Sequence, residues 1–244
     1  MGTRAGVLYV VATPIGNLGD LTERARKTLM DVDLIAAEDT RETRRLLTHL
    51  GISTPLRAYH DHNEASTAAA LVDLLANGQD LALVSDAGTP LISDPGYRLV
   101  QVARARGIAV VPIPGASAAI CALSAAGLPS DRFLFLGFPP RSGPARRALF
   151  ESLAGEPGTL VFYESGKRAE AMLADLAAVF GDGRRAVLAR ELTKRFETFL
   201  AGSASELRGL LSGDPDPVSY THLRAHETAS FISYAVFCLK RGGG

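Results

Sequence analysis

Cysteine, net charge and long apolar runs are what this sequence has least of, and each shortage removes a class of protein. Its two cysteines, Cys121 and Cys238, stand far apart and neither falls in a Cys-x-x-Cys spacing. A disulfide framework and a structural zinc site are therefore not expected. Basic and acidic side chains balance at 26 each over 244 residues. Sequence-independent affinity for a phosphate backbone needs clustered Lys and Arg, so any nucleic-acid site must be a local patch. No apolar stretch approaches about 18 residues, and Met-Gly-Thr-Arg-Ala-Gly leads straight into a strand without a signal-like segment. The expectation is a cytoplasmic protein with no membrane anchor. Neither a P-loop nor a Gly-x-Gly-x-x-Gly turn occurs, which speaks against a phosphate-rich cofactor.

What remains is an ordinary globular composition, 47% apolar and 21% charged. The first half alternates β-rich runs with helical patterns, the signature of parallel strands joined by crossover helices. Strands are expected at Val7 to Ala12, Asp33 to Ala37, Leu81 to Val84 and Ile108 to Pro112. Helices are expected at Leu21 to Met30, Thr43 to Leu50, Ala65 to Ala76 and Tyr97 to Arg106. A small-residue helix from Ala116 to Ala126 reads as a hinge. Beyond it come strands at Phe133 to Phe138, Thr159 to Tyr163 and Ala186 to Arg190, with helices at Pro144 to Leu153, Lys167 to Phe180 and Ser205 to Leu211. The fold class is α/β, with an N-terminal domain over 1–115 and a C-terminal one over 116–216. Residues 217–244 read as an atypical tail, foreign to the domain before it, because the run Ser-Tyr-Thr-His-Leu-Arg-Ala-His-Glu-Thr (219–228) has no clear helical or strand period; no function is placed on it.

Three turns each follow an expected parallel strand: 13–18 (Thr-Pro-Ile-Gly-Asn-Leu), 85–96 (Ser-Asp-Ala-Gly-Thr-Pro-Leu-Ile-Ser-Asp-Pro-Gly) and 112–118 (Pro-Ile-Pro-Gly-Ala-Ser-Ala). In an open α/β sheet such turns gather at the carboxyl edge, where ligands bind. Small residues let the backbone approach a ligand, Pro fixes loop shape, and amides at helix starts can hold a carboxylate. None of the three turns carries Lys or Arg. A cationic sulfonium such as that of S-adenosylmethionine suits them, with Asp86 nearby. Tight βα turns without a ligand are the competing reading.

Six ordered segments carry a resemblance: 8–18, Ala-Glu-Asp-Thr-Arg (37–41), 84–96, Pro-Gly-Ala-Ser-Ala (114–118), Tyr-Glu-Ser (163–165) and Arg-Glu-Leu-Thr-Lys (190–194). Together they resemble the ribosomal RNA small subunit methyltransferase I family, of the tetrapyrrole methylase-like fold class, from about Val7 to Asp216. The resemblance implies two α/β domains with a cofactor cleft between them and a homodimer. It also implies S-adenosylmethionine-dependent 2′-O-methylation of a cytidine in the decoding region of 16S rRNA in the small ribosomal subunit. Cofactor contacts would fall on Pro14, Gly16, Asp86, Ala87, Gly88, Thr89, Pro90, Ile92, Gly115, Ala116, Ser117 and Ala118, with second-domain walls at Phe162 and Tyr163. The tail departs from the family pattern, which puts the end of the second domain in question.

A ribose 2′-hydroxyl is a poor nucleophile at neutral pH, so a base or a cation should assist. Glu38, Asp39 and Arg41 follow the second strand and are the first catalytic candidates; a helix cap by Asp39 paired with Arg41 is the structural alternative. Glu191 and Lys194 are the second group, against a solvated turn. His60-Asp61-His62-Asn63-Glu64 has the look of a metal cluster, but a helix cap by Asn63 or Ser66 accounts for it and no metal is expected. Arg141, Arg146 and Arg147, with Arg41, Arg44 and Arg45, are candidates for the RNA patch. The rival readings are a methyltransferase acting on a tetrapyrrole ring and a non-catalytic RNA-binding protein of ribosome assembly.

Overall fold

The computed structural model describes residues 4–60, 64–213 and 234–240. The described residues form two compact units, one ending at Ser117 and one beginning at Ala118. In the first unit the elements run β1 (Val7–Val11), α1 (Glu23–Asp31), β2 (Leu34–Ala37), α2 (Thr40–His49), β3 (Leu56–Ala58), α3 (Glu64–Ala76), β4 (Leu81–Val84), α4 (Tyr97–Ala105) and β5 (Ala109–Ile113). The strand order is β3-β2-β4-β1-β5, every neighbouring pair parallel.

Strands covered on both faces read as unbroken apolar runs, and Leu81-Ala82-Leu83-Val84 is such a run, buried throughout. One face packs Leu8, Leu71, Leu75, Leu83 and Leu99 together; the other packs Val11, Leu29, Ile35, Leu47 and Val84. Each fully buried Leu or Ile of this kind contributes about 1.5–3 kcal/mol. The helices begin where side chains satisfy their free amides. The Ala25 N–H donates to Thr22 Oγ1 at 3.1 Å ahead of α1, and the Arg41 N–H donates to Asp39 Oδ1 at 2.8 Å ahead of α2.

The second unit contains α5 (Ala118–Ala125), β6 (Phe133–Gly137), α6 (Gly143–Ser152), β7 (Thr159–Ser165), α7 (Gly166–Phe180), β8 (Arg185–Arg190), β9 (Thr198–Gly202), α8 (Ala204–Gly213) and β10 (Tyr234–Lys240). Its sheet runs β6-β7-β10-β8-β9. Only the β6–β7 pair is parallel; β10 is antiparallel to both β7 and β8. Phe150, Phe162, Leu173, Leu176, Leu207 and Phe237 form the core under α6, α7 and α8.

Three strands differ from the sequence reading. β3 is three residues long and β9 follows a charged turn, so neither offers a run long enough to stand out. The third difference is larger: seven residues of the tail, Tyr234–Lys240, form the central strand of the second sheet, with Ala235 to Leu239 buried. Its run Tyr-Ala-Val-Phe-Cys-Leu is apolar throughout, as suits a strand paired along both edges and covered on both faces.

Candidate functional site at the carboxyl edge of the first sheet

β4, β1 and β5 lie side by side. At about 4.8 Å between strands, the turns leaving their carboxyl ends are neighbours across roughly 10 Å. These are the turns 85–96, 13–18 and 112–118, and hydrogen bonds knit them together. The Thr13 N–H donates to the Gly88 carbonyl at 2.9 Å, and the Gly88 N–H donates back to the Thr13 carbonyl at 3.2 Å. Thr13 Oγ1 donates to the Ser85 carbonyl at 3.2 Å and accepts the Gly88 N–H at 3.2 Å. Thr89 Oγ1 donates to the Ala116 carbonyl at 2.9 Å, tying the second turn to the third.

The close approach depends on glycine. Gly88 has φ +91°, and a Cβ there would stand 3.1 Å from Ile15 Cγ2 and 3.4 Å from the Ala116 carbonyl. A Cβ on Gly115 would meet Ala12 Cβ at 2.8 Å. Leu91 and Ser93 hold φ of 72° and 69°, conformations that cost a non-glycine residue about 1–3 kcal/mol each. Leu91 is packed against the core while Ile92 is turned out, 38% exposed.

Pro14, Gly88 and Pro90 are buried, Gly16, Asp86, Ala87, Thr89, Ala116, Ser117 and Ala118 half-buried, and Gly115 exposed. This edge therefore offers main chain, small side chains and a carboxylate, with no cation from the turns themselves. That donor set fits a cationic ligand bearing a carboxylate. Sequence reasoning missed Thr13, whose hydroxyl links two turns, and Arg24, whose Nη2 donates to the Pro112 carbonyl at 3.1 Å. A Thr closing a buried strand was the only local sign of the former.

Carboxylates cluster at the β2 and β4 ends of the same edge. The Asp39 N–H donates to Asp86 Oδ1 at 2.9 Å, and the Asp86 N–H donates to Glu38 Oε2 at 3.4 Å. Burial pushes the Asp86 carboxyl above its usual range, against the opposing Asp39 N–H bond. Asp39 is held at about 2, first by its side-chain bond to Arg41 and then by the Arg41 N–H. The Arg41 guanidinium sits 2.7 Å from Asp39 Oδ2. Asp39 thus serves as cap of α2 and partner of Arg41, whereas the Glu38 carboxylate reaches the Asp86 main chain at the sheet edge.

In the second unit, the Ala119 N–H donates to the Tyr163 hydroxyl at 3.0 Å, and the Tyr163 ring is edge-on to Phe135 and Phe138. Phe162 points the other way: its ring is fully buried against Phe150. Glu191 and Lys194 form an ion pair at 3.3 Å with side chains only 11% and 19% exposed. Glu191 has φ 53° and Thr193 φ 64°.

The arginine patch requires a correction. Arg146 Nε donates to Asp175 Oδ2 at 2.7 Å and the Arg146 side chain is 6% exposed, so it is a buried ion pair rather than a phosphate contact. It lies on the face of α6 that also buries Phe150, one turn on. Arg147 shares Asp175 at 2.7 Å but is 43% exposed. Arg41, Arg44 and Arg45 are exposed on α2, Arg45 bound to Glu42 at 2.7 Å, and Arg141 is exposed ahead of α6. The cap expected at Asn63, like Asp61 and His62 of the histidine run, lies outside the described residues.

A family model described as Tetrapyrrole (Corrin/Porphyrin) Methylases matches residues 7–208. The chain belongs to the tetrapyrrole methylase family. The methyl donor of this family is S-adenosylmethionine. The chain is 55% identical over 210 residues to Ribosomal RNA small subunit methyltransferase I of Pseudomonas aeruginosa, covering 86% of this chain and 74% of the relative. It is 56% identical over 209 residues to the protein of the same name from Xylella fastidiosa, covering 86% and 77%. Among solved structures, a diphthine synthase superposes with a TM-score of 0.69 at 12% identity, covering 96% of this chain and 90% of the other. The uroporphyrin-III-C-methyltransferase of Thermus thermophilus gives 0.60 at 21% identity, covering 97% and 94%. At those identities the two structures show the methylase fold alone.

Proposed function

We propose that this methylase transfers a methyl group from S-adenosylmethionine to the 2′-oxygen of a cytidine ribose in the decoding region of 16S rRNA, acting in the cytoplasm as a homodimer on the small ribosomal subunit. One observation carries the reading: three cation-free turns are hydrogen-bonded into a single surface at the carboxyl edge of the first sheet. The chain that builds it is 55% identical to a protein named as a ribosomal RNA methyltransferase.

S-adenosylmethionine, when bound, supplies a methyl group on a cationic sulfur. Pro14, Gly16, the stretch Asp86 to Pro90 with Ile92, and Gly115 to Ala118 would hold it. What the chain itself contributes is position and charge, since fixing reactants in line can stand in for a very high effective concentration. Asp86, with its raised proton affinity, and Glu38 beside it are the groups to take the proton that the ribose hydroxyl loses. Asp39 orients Arg41, whose guanidinium steadies developing negative charge. Lys194, held by Glu191, offers a second cation. The exposed arginines of α2, with Arg141 and Arg147, would meet phosphates.

The test is transfer of tritiated methyl from S-adenosylmethionine into 30S subunits lacking the modification. The expected label sits in 16S rRNA and blocks alkaline cleavage at one cytidine, because a 2′-O-methyl group removes the attacking hydroxyl. Label in a porphyrinoid precursor with none in rRNA overturns the reading.

A further inference from the structure

α4 presents to water a side that methyl transfer leaves unused. Its sequence, Tyr-Arg-Leu-Val-Gln-Val-Ala-Arg-Ala, holds two arginines and no acidic residue. Leu99 and Ala103 are buried in the layer that α4 shares with α3. At 3.6 residues per turn, Tyr97, Gln101 and Arg104 fall on one stripe on the opposite side of the helix, and all three are exposed. Tyr97 is 68% exposed, more than any other large apolar side chain among the described residues. The Gln101 amide donates to the Tyr97 hydroxyl at 3.4 Å, which steadies the tip of a ring that stays open to solvent. Arg98 is exposed beside the stripe, and Arg106, just past the helix, is engaged by Asp73 of α3. An aromatic ring stabilises a fold through the area it buries, so a ring left in water contributes little to folding here.

The place of the stripe in the fold narrows its partner. Gly96 has φ +137°, and a Cβ there would meet Leu83 Cδ2 at 2.8 Å and Leu91 Cδ1 at 3.0 Å. α4 therefore starts directly behind turn 85–96, and its first turn is held from the core, where the Leu99 N–H donates to the buried Tyr59 hydroxyl at 3.2 Å. Running back from β4 to the start of β5, the helix sets Tyr97 at the carboxyl edge of the first sheet. β2 and β4 are paired neighbours, so α2 and α4 both begin at this edge, on opposite faces of the sheet. A polyanion crossing the edge meets the exposed arginines of α2 on one side and Arg98 and Arg104 on the other. Cations alone suit any polyanion. The open ring selects further, because an unpaired base offers a π-face to stack on whereas a duplex hides its bases. We infer that the outward stripe of α4 is a binding surface for single-stranded RNA, on which Tyr97 stacks against an unpaired base and Arg104 meets a phosphate. This inference rests on the reading of the chain as an rRNA methyltransferase and extends it to the strand flanking the acceptor nucleotide.

The experiment uses the whole chain as wild type, Tyr97→Ala, Tyr97→Phe and Arg104→Gln. The probe is fluorescein-labelled oligouridylate, either single-stranded or paired with oligoadenylate. Its Kd is measured across a range of salt, alongside mass by light scattering, titration with S-adenosylmethionine, and KM and kcat for methyl transfer into 30S subunits. Tyr97→Ala should bind the single strand about tenfold more weakly, the scale of one lost stack. Tyr97→Phe keeps the ring and should stay near wild type, and the duplex should bind all three equally. Arg104→Gln should reduce the slope of log Kd against log salt by about 0.7, the signature of one phosphate contact on a single strand. For Tyr97→Ala, mass and donor affinity stay as in wild type, and KM for 30S subunits rises with kcat held, because the ring grips RNA and not the reacting atoms. Equal single-strand affinity of wild type and Tyr97→Ala, or no single-strand binding by wild type, overturns the inference. A loss of affinity that comes with a change in mass also overturns it, since the stripe would then be a contact with a second copy of this chain. If wild type binds the probe but labels no 16S rRNA, the functional reading fails by itself, and the oligouridylate Kd of Tyr97→Ala still decides the surface.

Discussion

Individual side chains divide sharply between those that hold the fold and those left to act on a ligand. Asp39 closes the first turn of α2 and engages Arg41 through both carboxylate oxygens. Replacing it with Ala should cost about 1 kcal/mol, the usual worth of an N-cap, read as a lowered urea midpoint at neutral pH. The sign of its pH dependence follows from the depressed value. A carboxylate held at about 2, against an ordinary 3.8, stabilises the folded state fully above the ordinary value, and that contribution fades as pH falls toward 2. The gap between wild type and Asp39→Ala should accordingly narrow across that interval. At this scale the sequence was legible where chemistry is local: Asp39 before a helix, Gly88 and Gly115 in turns, small residues where strands end. It was not legible at Arg146, whose burial depends on Asp175 twenty-nine positions away, nor at Thr193, because no composition announces a left-handed threonine.

Helices and strands show the same division between local and distant causes. The first sheet was readable because its strands are apolar runs punctuated by amphipathic helices. Its strand order, which sets β4, β1 and β5 together, came only with the fold. The second sheet depends on a strand from the far end of the chain. β10 separates β7 from β8 and fills the core with Phe237 between Phe162 and Leu188 in register. Deleting the chain from residue 234 onward would leave two inner strands with open edges and strip Val236, Phe237 and Leu239 from the core. Limited proteolysis of such a deletion should give rapid digestion of the second unit, while a fragment ending near Ser117 resists for longer. Equal resistance of both units would show β10 to be dispensable. The length of chain between α8 and β10 explains why a local reading set those residues apart.

The whole molecule carries no net charge, so its chemistry has to be concentrated at particular places, and the carboxyl edge of the first sheet is where turns, carboxylates and close-packed glycines meet. The family assignment names the methyl donor, and the geometry of this edge explains why Lys and Arg are missing from the turns that would hold a sulfonium. The central physical claim is that the main chain of these turns, brought together by glycine, forms the donor-binding surface. Calorimetric titration with S-adenosylmethionine tests it on three proteins: wild type, Gly115→Ala, and Gly115→Ala combined with Ala12→Gly. A methyl at residue 115 would press on Ala12 Cβ at 2.8 Å, and removing the Ala12 methyl restores the space. Wild type should bind, Gly115→Ala should bind at least about tenfold more weakly as the turn is displaced, and the double variant should recover. Equal affinity for all three proteins, each folded by circular dichroism, would contradict the claim.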